Sequence, residues 1–477
     1  MAKPRFLLVV FPAQGHVNPA LQLAKRLVLI GCEVTFVTTV LAHHRMVTKC
    51  GGGFGDDNDS NNNNFTPPNG MSFAQFSDGY DDGFRPKPFD FTAYCTELRR
   101  RGTQALKGLV QSGQKEGRPY TCMVYTLIMP WAADVAAELE IPVALFWVQP
   151  ATLFDVYYYY FNGYGDLIRD YMVNDYSSPL TLPGLSLDLT VRDLPSFLGP
   201  SGEKAYLIKL FEEQFKVLDK ESHRPIVLIN TFDVLEPEAL RSISTNKLNV
   251  IGIGPLIDPI ELRKSDDRDI VSEWLSSKSK GSVIYVSFGS VVVLSKPQME
   301  EIAKGLLDFG RPFLWVIRGN DNKQDKEEEE EEKVSRRGEL EKLGMIVPWC
   351  CQVEVLSNKA LGCFVTHCGW NSTLESLVCG VPVVAFPQSV DQITTAKLIE
   401  DMWKIGVRVT AKDEGVVGAE EIKRCLELVI LGGDEMRRNA TKWRDSAMEA
   451  SKEGGSSDIN LKAFVNEVIG EKTFFYY

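Results

Sequence analysis

The stretch WCCQVEVLSNKALGCFVTHCGWNSTLESLVCGVPVVAFPQSVDQ, Trp349 to Gln392, decides the fold. Cys363–His367 is a short apolar run with a polar end, the pattern of a buried parallel strand. Cys368-Gly369-Trp370-Asn371 then turns the chain into a helix expected from about Ser372, where Ser372 and Glu375 have capping-box spacing. Gly380 ends that helix, with Pro382 just beyond it. Val381–Phe386 is the next strand, and Asp391 and Gln392 open the following helix. A strand feeding a helix N-terminus through a Gly-containing turn is an anion site, because the first-turn N–H groups and the positive dipole end face the ligand.

The residues before this stretch repeat the pattern. Val283–Ser287 reads as a strand and Phe288-Gly289-Ser290 as a turn. Ser295 and Gln298 cap a helix running to Phe309, and Phe313–Ile317 is a further strand. The glutamates Glu327–Glu332 read as a solvated loop with no catalytic role.

The chain start reads as a second α/β domain. Phe6–Phe11 is a buried strand and Pro12–His16 a turn. Asn18 and Pro19 are expected as N-cap and first helical residue, with Gly31 ending the helix and Val34–Thr38 the next strand. This is the opening of a doubly wound domain. Its turn is not GxGxxG, so a nicotinamide cofactor is not expected. His16 stands where ligands bind in such sheets, and the adjacent helix N-terminus disfavours imidazolium, which leaves a neutral ring able to accept a proton. Cys122–Tyr125 and Val143–Val148 are strands around a helix opening at Pro130-Trp131, and Ile226–Asn230 is expected as the last strand of this half. Ile251–Pro255 then starts the crossing to the second domain, with polar linker at 261–269. The aromatic run Tyr157–Phe161 is either core or one wall of an acceptor pocket.

Composition bounds the rest. The chain has 477 residues and 44% hydrophobic content, enough for two domains. A net charge of −12 without a basic stripe argues against nucleic acid as a partner. Neither a secretory h-region nor a run of transmembrane length is found. Ten cysteines scattered without CxxC pairs read as reduced thiols, which with the missing leader predicts a cytoplasmic protein.

Residues 349–392 resemble, over their whole length, the nucleotide-sugar signature of the plant family 1 UDP-glycosyltransferases. Tyr125-Thr126 and FSDGYDDGFRPK (76–87) resemble the subgroup with anthocyanin 5-O-glucosyltransferases and crocetin glucosyltransferases. The resemblance implies the GT-B fold, two facing Rossmann-like domains. The implied division is an acceptor-binding domain at 1–250, a linker at 251–270, a UDP-sugar domain at 271–455 and a C-terminal helix, 456–477, packing back on the first domain.

It also implies roles. Trp349 would stack on uracil, with the Cys350 backbone reading the base edge. Gln352 and Glu375 would bind the ribose, and His367, Asn371 and Ser372 the diphosphate, with Ser290 touching the phosphates. Trp370, Asp391 and Gln392 would contact the sugar, and Gln392 favours glucose because galactose users tend to carry histidine there. His16 would be the general base. Most of the family has an aspartate where Thr126 stands; a hydroxyl can bond a ring nitrogen but cannot offset an imidazolium. Ser389 departs from the family's usual aromatic.

The expected activity is inverting transfer of glucose from UDP-glucose to an acidic phenol or a carboxylic acid. UDP-glucose is a substrate, and no cofactor or metal is implied. The expected state is a monomer. The alternatives are a nucleotide-sugar-binding protein that has lost transfer, or a transferase using another UDP-sugar.

Overall fold

The computed structural model describes residues 3–49, 68–83, 90–198, 205–220, 224–243, 247–257, 270–318, 334–411 and 415–474. The chain forms two compact units. Unit 1 holds residues up to Val191, Phe197–Ile257 and the chain from Glu449; unit 2 holds Asp258–Met448 and the short segment Arg192–Ser196.

Unit 1 is built on a parallel sheet. Its strands are β1 (Arg5–Val9), β2 (Glu33–Thr39), β3 (Met71–Phe76), β4 (Cys122–Thr126), β5 (Val143–Trp147), β6 (Ile226–Ile229) and β7 (Asn249–Gly252), in the order β3-β2-β1-β4-β5-β6-β7. The central strands are buried on both faces, which is why they read as unbroken apolar runs. From β1 the chain winds outward through β2 and β3, then returns to β1's other side as β4. The C-terminal ends of β1 and β4 therefore form the switch point of this sheet, where crossover loops part and leave a crevice.

Two expectations need correction here. β7 is a seventh strand, paired in parallel with β6, so Ile226–Asn230 is not the last one and Ile251 is still in the sheet. The first helix spans Gln14–Leu29 with Ala13 as N-cap, and Asn18-Pro19 lie inside it. His16 and Val17 both donate their N–H groups to the Ala13 carbonyl at 2.8 and 2.9 Å, which commits the chain to helix before Pro19. Of the aromatic run, for which core and pocket wall were both open, Tyr157 is core: its ring stacks on Phe211 at 4.3 Å and packs edge-on to Trp147. The expected linker 261–269 and the glutamate run 327–332 lie outside the described residues.

The helix Ser456–Phe474 belongs to unit 1. Phe464 lies 5.9 Å from the Phe6 ring, and Asn460 donates to the Gly252 carbonyl at 2.9 Å.

Unit 2 has strands β8 (Val283–Ser287), β9 (Phe313–Val316), β10 (Met345–Val347), β11 (Leu361–Thr366), β12 (Val383–Ala385) and β13 (Gly406–Arg408), ordered β10-β9-β8-β11-β12-β13 and all parallel. Alternation along β8 sends Ile284 and Val286 into one core and Val283 and Tyr285 into the other. The switch point of this sheet lies at the C-terminal ends of β8 and β11, where Ser287–Ser290 and Thr366–Asn371 meet. Ser295 caps the helix Lys296–Phe309 through the Gln298 N–H, as expected, but the Gln298 side chain turns away to Val417. Among the described residues no helix is long and apolar enough to cross a membrane.

Candidate functional site

In unit 1, His16 sits in the first turn of its helix at the switch point. Its ring packs on Phe11 at 5.1 Å, and its Nδ1 is buried without a hydrogen-bond partner among the described residues. Burial pushes the imidazole down to about 3, so the ring is neutral near pH 7. Thr126 does not supply the missing partner. Its hydroxyl is fully buried, accepts the Phe11 N–H at 2.9 Å and faces Met129 Sδ at 3.8 Å, so it ties β4 to the turn after β1. The expected bond from Thr126 to His16 is replaced by this backbone bond.

In unit 2, the polar groups gather at the β8/β11 switch point. The His367 ring is wedged between two glycines: a Cβ on Gly289 would lie 2.6 Å from its Nε2, and one on Gly369 2.5 Å from the same atom. Both positions need glycine for this reason, and Gly289 also has φ +74°. Burial lowers His367 to about 4, so its ring is neutral near pH 7 and can hydrogen-bond but carries no charge. The helix begins at Trp370, with Gly369 as an N-cap that offers no side chain. Ser290 is exposed in the turn after β8.

This start overturns the capping-box reading. Ser372 lies inside the first turn, and its hydroxyl accepts from Gln352 Nε2 at 2.9 Å. The same Nε2 donates to Glu375 Oε2 at 2.7 Å. Tyr285 OH donates to Gln352 Oε1 at 3.2 Å and lies 3.5 Å from Cys350 Sγ. Two acceptors on one atom and a donor on the other fix which way the Gln352 amide points. Tyr285 is a site residue that the sequence reading missed. No local pattern could have found it, because its partners Cys350 and Gln352 lie 65 and 67 residues further along the chain.

Trp349 is 55% exposed, an unusual setting for a large aromatic and one suited to stacking on a flat ring. Trp370 is the opposite: it is 3% exposed and packs 5.9 Å from Trp403. Its ring belongs to the core. Asp391 precedes the helix Gln392–Lys397, and burial pushes its carboxyl up to about 6. Gln392 Oε1 accepts the N–H groups of Gln388 and Ser389 at 2.9 and 3.2 Å, which closes the turn and leaves Nε2 as the end that can meet a ligand.

Taken by itself, unit 2 offers an exposed flat ring, a carboxylate with a bridging amide, a bare helix N-terminus and a polar turn. Together these suit a base, a vicinal diol, an anion and a further hydroxylated group.

Comparison with known proteins identifies the family. Residues 213–444 match the family described as UDP-glucoronosyl and UDP-glucosyl transferase. The chain is 54% identical to phloretin 4'-O-glucosyltransferase of Malus domestica, covering 98% of both chains. The chain belongs to this family. It is a UDP-glycosyltransferase and lies among relatives of the expected subgroup: crocetin glucosyltransferase, chloroplastic, of Gardenia jasminoides is 51% identical over 97% of this chain and 96% of that one. The transferase also resembles the crystal structure of Os79 from O. sativa in complex with UDP, at 33% identity and TM-score 0.77, covering 97% of this chain and all of that one. Its fold is GT-B, as expected.

Proposed function

We propose that the transferase moves glucose from UDP-glucose to an oxygen of a small plant metabolite, either an acidic phenol or a carboxylic acid, with inversion at the anomeric carbon. Unit 2 takes the donor. Uracil stacks on Trp349, the Cys350 backbone reads its edge, and the ribose diol meets Glu375 and Gln352. The diphosphate rests on the helix opening at Trp370, with His367, Asn371, Ser372 and Ser290 around it. Asp391 and Gln392 meet the sugar. The leaving UDP is stabilised by fixed N–H groups aimed where charge develops.

Unit 1 takes the acceptor, and His16 removes its proton. The observation that carries this reading is the Gln352 bridge, because it holds Glu375 ready for a diol before any ligand arrives. The relatives' names support the acceptor class: one is named for phloretin and another for crocetin.

The preference for acidic oxygens rests on His16. A base held near 3 with no carboxylate partner gains little by taking a proton from an alcohol. A carboxylic acid near ~4 is already ionised at neutral pH. The test is UDP release from UDP-glucose with a panel of phenols, carboxylic acids and aliphatic alcohols. Turnover on the first two classes is expected, and a preference for aliphatic alcohols would overturn the reading.

A further inference from the structure

The segment Arg192–Ser196 belongs to unit 2, whereas the residues on either side of it in the chain belong to unit 1. It is seated on the turn and helix that carry Asp391 and Gln392. Asp193 is 2% exposed. Its carboxylate meets Arg408 Nη1 at 3.0 Å and lies 3.9 Å from Lys397 Nζ. Its carbonyl accepts the Thr394 hydroxyl at 2.6 Å, and Thr394 is fully buried. The other charges on these cations are Asp401, 2.6 Å from Lys397, and Glu400, 3.9 Å from Arg408.

Burying an ion pair costs desolvation, so Asp193 is a poor device for stability alone and a good one for fixing a single arrangement. What it fixes is the helix Gln392–Lys397, at its third residue and its last. The turn before that helix needs holding. Val390 has φ +60°, a left-handed backbone that a β-branched residue adopts only at a cost. The Val390 N–H donates to Ser196 Oγ at 3.3 Å, while Gln392 Oε1 takes the two N–H groups before it. The turn is thus clamped by its own glutamine on one side and by the 192–196 segment on the other.

We infer that Asp193, Ser196 and Thr394 are positioning residues for hexose recognition, acting through Asp391 and Gln392. The inference rests on the donor-site reading above and goes beyond it by assigning sugar selectivity to a segment remote in sequence. It separates two parts of the donor. The UDP contacts lie on other elements of unit 2, so loosening this clamp weakens the grip on the sugar and spares the nucleotide.

Thr394→Val removes the hydroxyl and keeps the shape, Asp193→Asn removes the charge, and Ser196→Ala tests the exposed end of the clamp. Calorimetry with UDP and with UDP-glucose, without acceptor, is the measurement. For Thr394→Val the UDP-glucose Kd is expected to rise about fivefold, the loss of one neutral hydrogen bond, with the UDP Kd unchanged. Asp193→Asn is expected to do the same by about tenfold or more, since a charged acceptor is lost. The glucose-to-galactose ratio of kcat/KM should fall in both. A merely structural role would weaken both ligands together, and that result, or no change in either, overturns the inference. Ser196→Ala lies at an exposed residue, so it tests the same ratio if the buried substitutions impair folding. Wild-type protein that binds no UDP would instead overturn the donor-site reading itself.

Discussion

Replacing His16 by alanine should separate acceptors by their acidity. Burial lowers the imidazole from 6.5 to about 3. At about 1.4 kcal/mol per pH unit, protonating His16 in place costs about 5 kcal/mol more than in water. Neither Thr126 nor any other described side chain offsets that charge at Nδ1, which has no partner. For a phenol, with a proton held near ~10, the ring must nonetheless accept a proton as the oxygen attacks. The negative charge building on the acceptor oxygen and the departing diphosphate supplies part of that cost, and proximity supplies more. His16→Ala should therefore lower kcat for a phenol by about 10²–10⁴-fold, the range of general-base catalysis. A carboxylate brings no proton, so the same substitution should lower its kcat by less than about tenfold, a loss of positioning only. The assay is kcat and KM of wild type and His16→Ala with UDP-glucose and one phenol and one carboxylic acid of similar size. Equal losses on the two acceptors would refute the reasoning.

Trp349→Ala should weaken UDP binding by roughly 1–3 kcal/mol, the worth of a base–aromatic platform, and calorimetric titration with an unchanged affinity would remove Trp349 from the donor site. Gln392→His should move donor choice toward UDP-galactose and lower overall kcat/KM, because the imidazole cannot accept both the Gln388 and Ser389 N–H groups; a competition assay with an unaltered product ratio would count against it. With the Asp391 carboxyl raised to about 6, it protonates as pH falls through that value and loses its strength as an acceptor for a sugar hydroxyl. The KM for UDP-glucose should then rise below pH 6 in wild type, while Asp391→Asn should have a high KM that stays flat across the same range.

What could be read from the sequence follows burial. β1, β2, β4, β5, β8 and β11 are covered on both faces, so their apolar runs identified them to within two residues at either end. The strands that escaped notice are peripheral or short. Met71–Phe76 has exposed Ser72 and Gln75 at an edge, and Met345–Val347 and Gly406–Arg408 have three residues each. Such segments carry no periodic signal, and only the finished sheet assigns them. The candidate donor-site residues could be named together because all but Ser290 fall in one contiguous stretch. Side-chain direction was not. Trp370 and Trp349 were both expected to contact the donor, yet one is 3% and the other 55% exposed. Ser372 and Glu375 have the right spacing for a capping box, but the helix starts two residues earlier, and Gln352 takes both side chains from 20 and 23 residues away. Bonds of that range, like those of Tyr285 and Asp193, leave no local pattern to read.

The central claim is transfer of glucose from UDP-glucose to an acidic oxygen, and it is tested most directly by following both products of one reaction. Wild-type protein is incubated with UDP-glucose and a phenol or carboxylic acid, UDP is quantified, and the acceptor product is identified by mass spectrometry and the configuration of its anomeric carbon by NMR. One β-linked glucosylated acceptor is expected for each UDP released. UDP binding without a glucosylated product, or a product that retains the donor's α-configuration, would contradict it.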